Sequence, residues 1–309
     1  MKFQPRDHEM LQAIQENQGL LARRHLKDLF WKNKSWRALE QRLAKLAQAG
    51  YVSWPDKEQY KLYPIPEAIC WLGWQGALHL AGMLGIEVNQ PDGDNEYQLR
   101  LLEIRLRKKG FHWLRVPRWS LLEHDLAIID FRLAMEAAVK SQPSLSIGRW
   151  VSEKDFRAFK DIVIAEFKRI KGQDIPIKKA VFPDGYVEIV DEKLLASGQP
   201  ARMRFLLEFD MGTHDTLRFG RDKVLPGVEY IKSPIYKSRF GSNSGYWLII
   251  AKGGPIRIKH LLLQVEKNAP GSADLFFLAP MDELKNKNPL TEPIWQQVGR
   301  DTPRSLLTP

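Results

Sequence analysis

Cysteine is almost absent from this 309-residue chain, Cys70 being the only one. That excludes a disulfide framework and any zinc site built on thiolates, and leaves Cys70 as a small buried hydrophobe. Long apolar runs are missing too, since no stretch approaches the roughly 18 residues of a membrane helix. The opening MKFQPRDHEM has no apolar core of the kind a secretory leader carries. Together these predict a cytoplasmic protein with no membrane partner. Among the seven histidines no H-x-x-x-H or H-E-x-x-H pair occurs, so a histidine zinc centre is not expected. No glycine-rich strand-to-helix loop is present, and GSNSG (241–245) lacks the Gly-Lys-Ser/Thr ending of a P-loop, so it reads as a hinge.

Acids are in the minority. Against 37 Asp plus Glu stand 47 Lys plus Arg, a net charge of +10. Such an excess points equally to a polyanionic partner, nucleic acid or an acidic surface, and to a merely basic protein surface. The apolar share of 44% excludes a disordered chain, and the length suits two modest domains. The reading is α/β, divided as 1–90, a basic connector 91–119, a larger domain 120–296 and a tail 297–309. The polar stretch Gln90–Asp94 marks the first boundary, and the tail, with Gly299, Pro303 and Pro309, reads as partly disordered.

The basic residues are concentrated. From Arg23 to Lys45 there are eight, with only Asp28 and Glu40 as acids; from Arg100 to Arg118 there are seven, with only Glu103. Helices are predicted over 8–16, 20–31 and 36–49, the last capped by Ser35, striped by Leu39, Leu43 and Leu46, and ended by Gly50. Tyr51–Trp54 and Tyr60–Tyr63, around Pro55–Glu58, predict a hairpin. Three helices and a hairpin are the order of a winged helix-turn-helix, whose third helix enters the major groove while the wing touches phosphate. Arg37, Gln41 and Lys45 then form an outward row, with Lys34 before the helix and Lys57 at the wing tip as further candidates for double-stranded DNA. The alternative is a solvated row on a protein-binding module. The connector either lies along phosphates or packs its tryptophans, Trp113 and Trp119, on the second domain.

From residue 120 strands alternate with helices: a helix over 121–140, a strand over 146–153, a charged helical insert over 156–171, strands over 179–190 and 201–210, a helix over 216–231, the apolar strand YWLIIA (246–251), a helix over 255–266 and a strand over 273–278. That is the order of a restriction-endonuclease-like domain with a mixed central sheet. Asp184, in Pro183-Asp184-Gly185, and Glu208 fall on neighbouring strands, and the two-residue period puts Asp210 on the face of Glu208. Such a cluster needs a cation, and hard oxygen donors suit Mg²⁺ or Mn²⁺. Glu153 is a further acid at a strand end, as is Asp125 beside His124 on the long helix. Two solvent-facing strand acids are the plainer alternative. His214 is a loop histidine or a proton carrier.

The arrangement resembles the PD-(D/E)XK nuclease motif, with Asp210 standing where that motif places a lysine. Lys223, in RFGRDK, is the candidate replacement, or else an exposed helical lysine. Ordered along the chain stand HDLAIIDFRL (124–133), RWVSEKDFR (149–157), FPDGYVEI (182–189), FLLEFDMGTHD (205–215), YWLIIA, ADLFFLAPMDEL (273–284) and PLTEPIW (289–295). With the N-terminal winged helix these resemble the replication-relaxation family of plasmid and integrative-element proteins over nearly the whole chain. The Glu208-x-Asp210-x-Gly212-Thr213 stretch is its most specific part.

The resemblance implies a DNA-binding protein acting in replication, DNA relaxation or its regulation, with a nuclease-like second domain. An active metal-dependent endonuclease or nickase would use Asp184, Glu208 and Asp210 as ligands, Glu153 in support and Lys223 as activator. A regulator would keep the acids as remnants, and an adaptor of a conjugation system would bind DNA weakly. A homodimer and other replication or conjugation proteins are the further expected partners.

Overall fold

The computed structural model describes residues 2–87, 95–111, 113–170, 173–213 and 215–307. The predicted boundary at Gln90–Asp94 and His214 lie outside them. The chain divides into two compact units, Met1–Ile129 and Asp130–Pro309. It is α/β, and among the described residues no helix is long and apolar enough to cross a membrane.

The first unit opens with α1 (Pro5–Glu16), β1 (Leu20–Ala22), α2 (Arg23–Phe30), α3 (Trp36–Gln48) and β2 (Val52–Ser53). Then come α4 (Lys57–Leu62), β3 (Ile69–Leu72), α5 (Trp74–Met83) and α6 (Glu96–Lys108). Pro5 stands at the start of α1, where a missing N–H costs nothing. Ser35 caps α3 by accepting from the Ala38 N–H, and Leu39, Leu43 and Leu46 bury its inner stripe, each worth about 2 kcal/mol. Gly50 follows with φ +74°, the left-handed turn that ends the helix cheaply.

Two expectations need correction here. Leu20–Ala22 is a buried strand rather than the first turn of a helix, because this apolar triplet pairs antiparallel with the equally apolar Ile69–Leu72. Likewise the predicted wing strand Tyr60–Tyr63 is replaced by α4. Asp56 accepts from the Gln59 N–H and Gln59 Oε1 accepts from the Asp56 N–H, a reciprocal cap that outweighs the β propensity of the tyrosines. Val52 and Ser53 instead pair with β3, giving a three-stranded sheet in the order β1-β3-β2. The connector tryptophans pack within the first unit rather than on the second domain, Trp113 donating to Leu72 O at 3.0 Å and Trp119 stacking on Tyr63 with ring centroids 5.3 Å apart.

Helix α7 (Leu122–Lys140) contains the division between the units. The second unit continues with β4 (Leu145–Ser152), α8 (Glu153–Ala158), β5 (Asp161–Ile170), β6 (Gln173–Val181), β7 (Gly185–Asp191), α9 (Glu192–Ala196) and β8 (Arg202–Asp210). After it come α10 (Thr216–Phe219), α11 (Leu225–Lys232), α12 (Pro234–Phe240), β9 (Tyr246–Ala251), α13 (Gly254–Asn268) and β10 (Phe276–Pro280). Five strands form one sheet in the order β10-β9-β8-β7-β4; β4, β7 and β8 run antiparallel, while β8, β9 and β10 run parallel. The central sheet is thus mixed, as expected. Both its faces are covered. On one side Phe209 meets Phe131 of α7 edge-to-face; on the other Tyr186, Leu206 and Ile249 pack with Val228, Tyr236, Ile258 and Leu261.

Between α10 and α11 the chain makes one π-helical turn, Gly220–Val224. A Cβ at Gly220 would stand 2.4 Å from Asn268 Nδ2 and 2.9 Å from Gln264 Oε1, so a larger residue would have to push these two side-chain ends of α13 aside. The charged insert is also corrected. Only α8 is helical, and β5 with β6 form a separate two-stranded ribbon, because Ile162, Val163 and Ile164 favour an extended chain. The predicted strand 179–190 is interrupted at Phe182–Asp184, where Pro183 has no N–H for a ladder. Residues expected in a disordered tail are paired: Gln296 bridges Leu278 and Arg304 bridges Trp295, whose side chain is fully buried.

Candidate active site

Register places three acids along one rim of the sheet. Ser152 of β4 lies opposite Gly185 of β7, and Gly185 opposite Leu207 of β8. One step beyond that row stand Glu153, Asp184 and Glu208, all buried. Each is held differently. Asp184 donates its N–H to Leu207 O at 2.9 Å and accepts the Phe209 N–H on Oδ2 at 2.7 Å, so the residue is tied to the β8 backbone on both sides of Glu208, by its main chain to Leu207 and by its carboxylate to Phe209. Glu208 accepts the Lys223 ammonium on Oε2 at 2.7 Å. Glu153 begins α8 and accepts Arg157 Nε at 2.7 Å, one helical turn on.

Lys223 owes its position to the π turn that carries it. Burial works to lower its pKa, but the carboxylates of Glu208 and Asp184 and the hydrogen bond to Glu208 outweigh burial and the repulsion of Arg157, leaving it raised. An ammonium between two buried carboxylates stays charged at neutral pH. The half-buried Lys223 is thus an ion-paired member of the acid site rather than a solvated helical lysine.

Asp210 behaves otherwise. Both its oxygens are taken by Arg257 of α13, and Oδ1 also accepts the Gly212 N–H. Among the described residues Asp184, Glu208 and Asp210 do not bring a carboxylate oxygen each within 4.8 Å of one another. Asp210, with both oxygens on Arg257, is thus set apart, and Asp184 and Glu208 are the acids of the expected set left as candidate oxygen donors for a hard divalent cation. Asp125 pairs with Arg118. Sequence reasoning missed Arg257, 47 residues from its partner with no motif to link them. It missed Arg157 too, although Glu153-x-x-x-Arg157 is a readable helical pair.

In the first unit Arg37, Gln41 and Lys45 are exposed along α3, opposite its leucine stripe, and Lys34 is exposed just before it. Lys57 is exposed at the first position of α4 rather than at a hairpin tip. Trp54, half-buried, lies under the Arg23 guanidinium at 5.3 Å.

No curated protein and no solved structure matches the chain. A family model described as replication-relaxation matches residues 11–224, well over half of it. That span runs from α1 through α3 and the acid-bearing strands to Lys223, and on it the chain belongs to the replication-relaxation family.

Proposed function

We propose that this protein binds duplex DNA of a plasmid or integrative element and that its second unit nicks that DNA in a divalent-metal-dependent reaction. The observation that carries the reading is the Lys223–Glu208 pair, 2.7 Å long, beside the clamped Asp184. Asp184 and Glu208 would hold Mg²⁺ or Mn²⁺, which when bound polarises a phosphodiester and lowers the pKa of water. Glu153, in the same rim row, supports the site by holding Arg157. Lys223 supplies a fixed positive charge where charge develops on the phosphate oxygens, and a preset donor costs no reorganisation. Its raised pKa suits a charge stabiliser and hydrogen-bond donor, not a general base.

The basic excess and the exposed row of α3 support a DNA-gripping first unit, with Arg and Gln suited to base edges and Lys to phosphate. A homodimer would bring two such sites to two strands, with other replication or conjugation proteins as further partners. Cytoplasmic placement accords with such a substrate.

The test is incubation of supercoiled plasmid with the protein and Mn²⁺ or Mg²⁺. Open circles should form with the parent chain, and Asp184→Ala, Glu208→Ala and Lys223→Ala should each abolish them while still binding duplex. If no metal supports nicking and binding persists, the nickase reading falls. A replication factor or regulator is the second reading, favoured by the Arg257–Asp210 pair, which ties up the acid standing at the motif's lysine position.

A further inference from the structure

The β5–β6 ribbon is not needed to build the sheet, yet it is anchored at its root. Val163 and Val181 join the core beneath α11, and Asp161 accepts Arg239 at 2.8 Å and the Tyr230 hydroxyl. Lys179 reaches Asp222 at 2.9 Å, the residue next to Lys223. Beyond that root the strands leave the core. Every residue from Glu166 to Ile170 and from Gln173 to Pro176 is exposed. A ten-residue strand extends about 33 Å.

The exposed part has an unusual surface. Ile162, Ile164, Phe167, Ile170 and Ile175 are all open to solvent, Phe167 by 63%. Among them lie exposed Lys160, Lys168, Arg169 and Lys178, against only Glu166 and Asp174 as exposed acids. By register Ile162, Ile164 and Phe167 share one face of the ribbon with Lys178 and Arg169, while Ile170 and Ile175 share the other with Lys168; apolar side chains exposed in such rows mark a contact surface. The positive excess selects its occupant. A second copy of the ribbon would bring like charges together, whereas duplex DNA offers phosphates for the basic residues and sugars and bases for the apolar ones. A two-stranded ribbon is also of a size that the major groove admits.

We propose that the β5–β6 ribbon is a DNA arm that lies in a groove of the duplex whose phosphodiester meets Lys223. The inference rests on the reading that this chain acts on duplex DNA, and it names a second contact for that substrate. The arm enters the chain between β4 and β7, the two strands whose ends carry Glu153 and Asp184. Lys179–Asp222 ties its root to the turn that bears Lys223. Contact along the arm would therefore align the backbone with the site.

The experiment measures duplex affinity of the full chain in EDTA, where metal-dependent cleavage is silent, across 50 to 200 mM salt. Lys168→Ala/Arg169→Ala should make the slope of log K against log salt shallower by about 1.8, two phosphate contacts at about 0.9 each. Phe167→Ala should weaken binding with the slope unchanged, and neither variant should alter the melting temperature. A Lys168→Ala/Arg169→Ala slope that superimposes on the parent's overturns the arm. So does an unchanged DNA affinity in Phe167→Ala with loss of a dimer in sedimentation, which would assign the apolar rows to a second copy. Plasmid nicking is scored separately. A chain that fails to nick while the arm variants still change the slope overturns the nickase and keeps the arm; nicking with unchanged slopes does the reverse.

Discussion

Arg257 closes on Asp210 with two hydrogen bonds, Nε to Oδ2 at 2.6 Å and Nη2 to Oδ1 at 3.0 Å. The acid that occupies the expected lysine position is thereby a post between the end of β8 and the first turn of α13. The Lys252 N–H adds a tie to Asp210 O at 2.8 Å. The hydrogen bond to Asp210 raises the Arg257 pKa over the opposing effect of burial, so the guanidinium stays charged.

Breaking this pair from one side leaves a buried charge. Arg257→Ala should destabilise the chain by about 3 kcal/mol, the lower end of what an orphaned buried charge costs. Adding Asp210→Asn should recover part of it. Urea midpoints of the parent, the single and the double variant check this; equal midpoints for parent and Arg257→Ala would remove the structural role.

Lys223 fixes a pH expectation. A folded pKa raised above the ordinary lysine value means that its pairing contributes in full below about pH 10.4 and fades only as pH climbs through the higher folded value. The melting-temperature difference between the parent and Lys223→Met should therefore be flat from pH 6 to about pH 9. A difference that shrinks steadily over that range would show a lysine already losing its proton.

Cys70 lies at the centre of the first unit's sheet, opposite Leu21, and burial pushes its thiol up to about 12. The thiolate is the reactive form. A disulfide reagent at pH 8 should leave Cys70 untouched in the native chain and label it at once in urea. Rapid native labelling would mean that β3 opens locally.

On the proposed reading the exposed row on α3 makes two separable kinds of DNA contact. Lys45→Ala should reduce the salt slope of duplex binding by about 0.9 at every sequence, whereas Arg37→Ala should cost about 1–3 kcal/mol at one base pair and relax the preference there. Thermal stability should stay within about 0.5 kcal/mol, since these side chains cover no core. Competition titrations with single-base variants of a bound duplex make the comparison.

Strongly periodic segments were legible. The leucine stripe of α3, the doubly buried YWLIIA strand and the pairing of Asp184 with Glu208 across adjacent strands follow from side-chain periods of 3.6 and 2. Less legible were features decided by one local contact or by a distant one. Residues 60–63 have strand composition, yet a cap at Asp56 and Gln59 turns them into helix. Leu20–Ala22 resembles helix until its partner Ile69–Leu72 is known. At the site, Lys223 could be nominated but not assigned, because its approach to Glu208 depends on how the intervening helix is wound.

That winding has a consequence for how the chemistry is encoded. In the π turn Gly220–Val224 the backbone carries one residue more than an α-helix would over the same rise. Deleting a residue there would swing Lys223 by about 100°, the α-helical rotation per residue, away from the rim, without touching either acid. The ammonium's address is thus written in the pitch of a helix, which delivers a lysine to this rim although the strand position itself, Asp210, is an acid.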